Sequence, residues 1–199
     1  MRHTLALSLF IAAAKGALAA PVEVRVTDAA GKPLAGAVVF LESREAREQV
    51  RPLAGAEIAQ ADKQFVPAVS VVTVGSAVHF PNRDTVRHHV YSFSPAKRFE
   101  IKLYVGTPAQ PVVFDQPGIA VLGCNIHDQM AAWVLIVDTP WYGRTGADGR
   151  FARADVPPGS YRLRTWHAHL PVGATPADQA LRVEAGGAQA SVRLAELAP

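Results

Sequence analysis

The sequence predicts an all-β protein built from sandwiches, and two observations support that prediction. Apolar residues alternate with polar ones at Val22, Val24 and Val26, which is the two-residue period of a half-buried strand. The chain also holds 15 glycines and 15 prolines, which fall mostly between the apolar runs, as in Gln-Pro-Gly at 116–118 and Pro-Pro-Gly at 157–159. Short strands separated by frequent turns are typical of β-sandwiches.

Further strands follow along the chain. Apolar runs at 69–72, 78–80 and 133–137 each predict a strand, and Gly186-Gly187 between two alternating stretches predicts a terminal hairpin. Residues 42–50, which combine charged side chains with alanine, are the exception and predict a short helix or a mobile loop.

The first twenty residues have the pattern of an export signal. Arg2 precedes a mainly apolar run at 5–14, and the small residues around 17–19 fit a cleavage site. The apolar run is too short to span a bilayer and Lys15 interrupts it, so a retained anchor is disfavoured. We therefore expect a signal peptide at 1–19, a mature chain without a transmembrane segment, and a periplasmic location.

The charge of the expected mature chain limits its partners. Removing residues 1–19 takes away Arg2 and Lys15 and no acid, so Lys plus Arg falls from 20 to 18 against 17 Asp plus Glu. The mature net charge is then about +1. This balance argues against a nucleic-acid partner or a strongly anionic partner surface, because the nearly neutral chain lacks the excess positive charge that would attract either.

Cys124 is the only cysteine of the chain, so it cannot form an intrachain disulfide. It could be a buried and inert residue, which is the ordinary role of an isolated cysteine, or pair between chains, or bind a metal. His127 and Met130 follow it at three-residue steps, and a remote histidine can come from a neighbouring strand. A thiolate with two imidazoles and a weak thioether is the donor set of soft, redox-active copper.

Residues 65–137 carry a resemblance to a known family. The run FVPAVSVVTVGSAVHFPNRDTVRHHV, followed by PGIAVLGCNIHDQMAAWVLIV, resembles the blue copper proteins, or cupredoxins, of the plastocyanin and amicyanin kind. Similar secreted chains are often labelled methylamine utilization proteins. The shared pattern is Val-Gly-x-x-Val-x-Phe-x-Asn, a first histidine, Pro-Gly, and a Cys-x2-His-x2-Met loop. The resemblance implies one type 1 copper ion held by His88, Cys124, His127 and Met130.

The match departs from the family at two places. His89 stands where the family usually has an asparagine that ties the two ligand-bearing loops together, and it is also an alternative ligand to His88. Strand alternation should prevent both rings from facing one metal. Asn125-Ile126 replaces the common Thr-Pro of amicyanins, which leaves the rigidity of the loop open while no ligand is lost.

Other histidines have weaker claims. His79 next to Phe80 fits a solvent-facing strand residue better than a ligand. His167 and His169 stand two apart, as on one face of a strand, and could begin a second metal site, but a surface or packing role is favoured. Cys124 with His127 could also suggest a cysteine nucleophile and its base, but the pair lacks an evident orienting acid and gives Met130 no role.

The flanks of this segment carry a second resemblance. VEVRVTDAAGKPLAGAVVFLE (22–42) and TGADGRFARADVPPGSYRLRTW (145–166) are similar to the two halves of a carboxypeptidase regulatory-like or transthyretin-like sandwich. We therefore expect a cupredoxin Greek-key sandwich at 57–139, nested in or packed beside a small immunoglobulin- or transthyretin-like sandwich formed by 20–56 and 140–199.

Two hypotheses of function follow, and in neither is the protein an enzyme. The first is a periplasmic electron carrier that cycles between Cu(I) and Cu(II), with electrons crossing the exposed edge of His127 to a redox protein such as a dehydrogenase or a cytochrome. The second is a copper-binding or protein-binding module that stores, delivers or is stabilised by the metal. For docking we expect an apolar patch of Ile126, Met130 and Pro81. The expected basic rim consists of Arg83, Arg87, Lys97 and Arg98.

Overall fold

The computed structural model describes residues 19–198, and this part of the chain is almost entirely β. Residues 1–18, which hold nearly all of the expected signal peptide, lie outside the described residues. The strands, in chain order, are β1 (Ala20–Thr27), β2 (Val38–Glu42), β3 (Ala56–Glu57), β4 (Ala59–Ala61), β5 (Gln64–Val66), β6 (Val69–Thr73), β7 (Ser76–His79), β8 (His88–Ser94), β9 (Lys97–Tyr104), β10 (Val112–Phe114), β11 (Gly118–Cys124), β12 (Ala131–Val137), β13 (Tyr142–Arg144), β14 (Arg150–Val156), β15 (Gly159–Trp166), β16 (Ala177–Val183) and β17 (Ala188–Arg193). The predicted all-β class is confirmed.

The single helix of the described residues, α1 (Arg44–Glu48), lies in the stretch for which the sequence predicted a short helix or a loop. Its start is fixed by Ser43, whose side-chain oxygen accepts a hydrogen bond from the Ala46 N–H. Within residues 19–198 there is no helix long and apolar enough to cross a membrane.

The strands at the two ends of the chain pair with one another. β1 lies between β14, to which it is antiparallel, and β17, to which it is parallel. A second sheet has the order β13-β2-β15-β16. The two sheets enclose one core, to which Val22, Val24 and Val26 contribute from alternate positions of β1.

The central segment forms a second sandwich. Its larger sheet has the order β6-β12-β11-β8-β9, and the smaller sheet has the order β10-β7-β3 beside the β4–β5 hairpin. β12 is parallel to β6 and antiparallel to β11. The core between the sheets contains Phe80, Phe114 and Leu122 together with Cys124 and Met130. The first histidine and the Cys-His-Met loop therefore lie at one end of this sandwich.

The two sandwiches share a third apolar cluster, because two strands are buried on both faces. In β2, Val39 and Leu41 face the core of the end sandwich, whereas Val38 and Phe40 face this cluster. In β12, Leu135 and Val137 join it while their neighbours face the central core, and Trp166 of β15 completes it. A strand buried on both faces reads as a continuous apolar run, which is the pattern of 133–137.

The predicted terminal hairpin is wrong in its pairing. The turn exists, since the Gly187 N–H donates to the Glu184 carbonyl at 2.9 Å. However, β16 pairs with β15 and β17 pairs with β1, so the chain passes from one sheet to the other at this turn. The turn residues predict a reversal, but the partner of each strand is set by which sheet edge is free.

Candidate metal centre

Three side chains at the end of the central sandwich converge on one point. The Sγ atom of Cys124 lies 3.7 Å from Nδ1 of His88 and 4.0 Å from Nδ1 of His127. These three atoms all lie within 4.8 Å of one another. Among residues 19–198, no other group of three His, Cys, Asp or Glu side chains is close enough to share a metal ion.

Strand pairing brings these residues together. His88 is the first residue of β8 and Cys124 the last of β11, and the two strands are antiparallel neighbours in which Cys124 is opposite Val90. His127 lies in the loop between β11 and β12, where the Met130 N–H donates to the His127 carbonyl at 3.0 Å. His88 and Cys124 are 36 positions apart in sequence, and the pairing of β8 with β11 holds them together.

The centre is closed on its inner side and open at one residue. His88 is fully buried, and Cys124 and Met130 are exposed by 3% and 2%. Met130, the residue before β12, belongs to the same core cluster as Cys124. His127 is partly exposed, and its neighbour Ile126 is 48% exposed. A metal ion held here would thus reach the solvent through the His127 ring.

His89 faces away from the converging atoms. Its Nε2 pairs with Oε1 of Glu100 on β9 at 2.8 Å, whereas the preceding His88 faces Cys124. The opposite directions follow the alternation of side chains along β8. The backbone of His89 supplies the tie between loops that its side chain does not, because its carbonyl accepts the Asn125 N–H at 3.2 Å.

Asp84 is a residue of the centre that the sequence analysis missed. Its Oδ2 lies 2.7 Å from Nε2 of His88, on the opposite side of the ring from Cys124. Burial alone would raise the pKa of Asp84, but hydrogen bonds from the Lys63 N–H, from His88 and from the Asp62 N–H outweigh it and lower that pKa. An acidic residue four positions before the first histidine is a signal that could have identified it.

Tyr104 of β9 is paired with His88 of β8 and packs against the central core. Its hydroxyl contacts the side-chain oxygen of the buried Gln60 and lies 2.8 Å from the Phe80 carbonyl oxygen. Burial, with a smaller contribution from the charge of Cys124, raises the pKa of Tyr104 despite the opposing hydrogen bond with Gln60. The phenol is therefore neutral at physiological pH, and its contacts with Gln60 and Phe80 hold it in place.

The remaining histidines lie elsewhere. His79 is half-buried on β7 and takes no part in the cluster. The sequence suggested that His167 and His169 lie on one face of a strand. In the structure β15 ends at Trp166, and the two histidines lie in the turn that follows. The His167 Nδ1 accepts the His169 N–H at 3.1 Å and its Nε2 lies 3.2 Å from the Ala35 carbonyl. Both ring nitrogens of His167 are engaged, which leaves no donor for a metal.

The expected docking patch needs correction. Pro81 and Met130 are buried, so the apolar residues exposed near the centre are Ile126 and, in the loop before His88, Val86. Among the basic residues of the expected rim, Arg83 pairs with Glu57 and Lys97 pairs with Asp115. The charges of Arg83 and Lys97 are thereby partly neutralised, whereas Arg87 and Arg98 have no ion pair within the described residues.

The donor atoms fit a transition-metal ion of intermediate softness. With bonds of about 2.0 Å to nitrogen and about 2.3 Å to sulfur, angles near 120° separate nitrogen from sulfur by about 3.7 Å. The observed separations of 3.7 and 4.0 Å are close to this value. One thiol and two imidazoles suit copper or zinc and not the hard ions magnesium or calcium.

Solved structures similar to parts of this chain include a cupredoxin, an amicyanin and a nitrite reductase. A purple cupredoxin from Nitrosopumilus maritimus is 20% identical, with a TM-score of 0.37, over 41% of this chain and 99% of its own. A Cu(I) form of an amicyanin variant is 18% identical, with a TM-score of 0.38, over 50% of this chain and 98% of its own. A Cu-containing nitrite reductase from Thermus scotoductus SA-01 is 19% identical, with a TM-score of 0.40, over 56% of this chain and 28% of its own. No protein-family model and no curated protein sequence matches the chain.

Proposed function

We propose that this chain binds one copper ion through His88, Cys124 and His127, with Met130 available as a weak fourth donor, and serves as an exported electron carrier. The observation that supports this most strongly is the convergence of one thiol and two imidazole nitrogens within 4.8 Å at a buried strand end. Copper, when bound, supplies a one-electron Cu(I)/Cu(II) couple, and this donor set suits both states. The copper-binding unit is residues 57–139, with 20–56 and 140–199 forming the transthyretin-like unit.

The protein residues around the site favour electron transfer over ligand exchange. His88 and Cys124 are held by neighbouring strands and excluded from water, so their positions need not change when charge enters or leaves. The burial of Cys124 likewise disfavours a nucleophilic role, because a substrate would have to reach a thiol that is 3% exposed. The site then works by keeping its donors fixed.

Electrons cross at His127, the one partly exposed member of the cluster. Ile126, the residue before His127, is 48% exposed and offers apolar surface that a redox protein can cover. A small apolar contact without a strong net field gives a weak and transient complex, as a carrier between a donor and an acceptor in the periplasm requires.

The test is titration of the mature protein with Cu(II). We expect an intense visible charge-transfer band that saturates at about one copper per chain and disappears and returns on reduction and reoxidation. Cys124→Ser should lose the band, because a hydroxyl cannot supply the covalency of a thiolate. A colourless protein that prefers Zn(II), or a copper form that does not cycle, would contradict the carrier function; the second result would favour storage or delivery.

A further inference from the structure

We propose that Asp84 is a positioning residue for the metal centre: it fixes the ring of His88 so that Nδ1 faces Cys124, and the turn of the β4–β5 hairpin fixes Asp84 in its place. This inference rests on the proposed copper site for its effect on metal binding. The contacts among Asp84, His88 and the hairpin do not depend on a metal ion.

The first step is the choice of tautomer. A neutral imidazole carries a proton on one nitrogen only, and an ionised carboxylate can only accept hydrogen bonds. The 2.7 Å contact between Oδ2 of Asp84 and Nε2 of His88 therefore places the proton on Nε2. The lone pair is then left on Nδ1, which is the atom 3.7 Å from the Cys124 sulfur.

The second step is how the carboxylate is held. The Asp62 N–H donates to Oδ1 of Asp84 at 2.7 Å, and the Lys63 N–H donates to Oδ2 at 3.0 Å. Asp84 is also fixed through its backbone, whose N–H donates to the Asn82 side-chain oxygen at 2.9 Å. An acceptor with this many partners has little freedom to leave the His88 ring.

The turn that supplies these donors has an uncommon backbone. Asp62 and Lys63 have φ values of 53° and 56°, in the left-handed region that a lysine rarely adopts. This conformation directs two successive N–H groups towards the same carboxylate. The hairpin, which is remote from the cysteine loop in sequence, thereby becomes part of the support of the metal centre.

The neighbouring histidine provides an internal comparison. His89 also pairs with a carboxylate, that of Glu100, at 2.8 Å. Glu100 has 47% of its side chain exposed, and its partner ring does not face Cys124. Asp84→Asn and Glu100→Gln thus each weaken one carboxylate–imidazole pair with a nearly isosteric change, and only the first pair supports a donor atom of the centre.

Loss of the Asp84 carboxylate has two expected consequences. Removing the partner of a metal-bound histidine typically weakens metal binding by about 10- to 100-fold, because the ring is less basic and less well oriented. A less basic imidazole also destabilises bound Cu(II) more than bound Cu(I), so the reduction potential should rise. In Asp84→Asn a single amide oxygen must serve three N–H donors, so the contact with His88 is weakened even if the turn survives.

The experiment compares wild type, Asp84→Asn and Glu100→Gln in the full mature chain. Copper affinity is measured by competition with a chromophoric chelator, the potential by titration, and the His88 ring tautomer by ¹⁵N NMR of the metal-free and Cu(I) forms. We expect about 10- to 100-fold weaker binding, a raised potential and an altered Nε2–H signal in Asp84→Asn, with Glu100→Gln within about threefold of wild type.

Equal affinity and potential in a folded Asp84→Asn protein would overturn the positioning role while leaving the copper site standing. If wild type binds no copper, the proposed function fails instead, and the NMR of the metal-free protein still decides the contact. If Asp84→Asn does not fold, wild type suffices, because a His88 ring protonated on Nδ1 rather than Nε2 would itself refute the inference.

Discussion

Replacement by alanine should have very different effects on copper binding at the adjacent residues His88 and His89. His88→Ala removes a nitrogen that lies 3.7 Å from the Cys124 sulfur, whereas His89→Ala removes a ring whose Nε2 contacts Glu100 instead. Loss of the outer partner of a metal ligand costs about 10- to 100-fold in affinity, so loss of the ligand itself should cost more than about 100-fold. That is more than about 2.7 kcal/mol of binding free energy.

His89→Ala should cost far less. It breaks a pair with the half-exposed Glu100, a kind of contact worth about 0–1 kcal/mol to folding, and it leaves the backbone carbonyl that accepts the Asn125 N–H. Copper affinity should therefore stay within about tenfold of wild type. Both variants are titrated with Cu(II) and followed by the visible band and by chelator competition.

The stability of each metal-free variant is measured by thermal unfolding, so that a folding defect is not mistaken for loss of a ligand. The reasoning is refuted if folded His88→Ala keeps the band and folded His89→Ala loses it. That result would mean that the ring of His89 replaces that of His88 when the metal is present.

Three further outcomes are expected. Met130→Leu should keep the visible band and raise the reduction potential in voltammetry, because it removes a weak donor that favours Cu(II) and keeps the buried apolar volume; loss of the band would show that Met130 is a strong ligand. Ile126→Asp should slow electron exchange with a physiological partner while leaving the spectrum unchanged, and an unaltered rate would place docking on another face. Burial lowers the pKa of His167, and the nearby His169 lowers it further, despite the opposing contact with Ala35. Below about pH 6.5 the unfolded chain therefore binds more protons than the folded chain, so the free energy of unfolding should fall as the pH is lowered. Urea midpoints at about pH 7.5 and about pH 5 should differ less in His167→Asn than in wild type, and equal differences would contradict this origin.

Much of the strand pattern was accessible from sequence because one physical signal dominates it. Val22, Val24 and Val26 alternate because one face of β1 is buried, and the continuous run at 133–137 reflects a strand buried on both faces. The pairing of β17 with β1 was not accessible, because the Gly186-Gly187 turn predicts where the chain reverses and not which sheet receives the next strand.

The candidate site shows the same division between local and distant information. The Cys-x2-His-x2-Met spacing predicts three donors on one loop, and the structure brings His88 from a separate strand together with Cys124 and His127. Asp84 was missed because its role depends on the direction of the His88 ring. The expected exposure of Pro81 and Met130 was wrong because a sequence segment next to a site does not reveal which side chains face the solvent.

The central position of β1 sets the order in which the chain can fold. β1 is among the first described residues, yet both of its partners, β14 and β17, come from residues 150–193. During synthesis, β1 therefore stays unpaired until residues 150–156 are present, and its other edge stays open until residues 188–193 follow. The strands that carry His88 and Cys124 pair within 56–137, so the end with the proposed metal centre can form first. A chain cut after residue 148 would retain the proposed metal donors but leave β1 with an open edge on both sides, prone to associate with other copies.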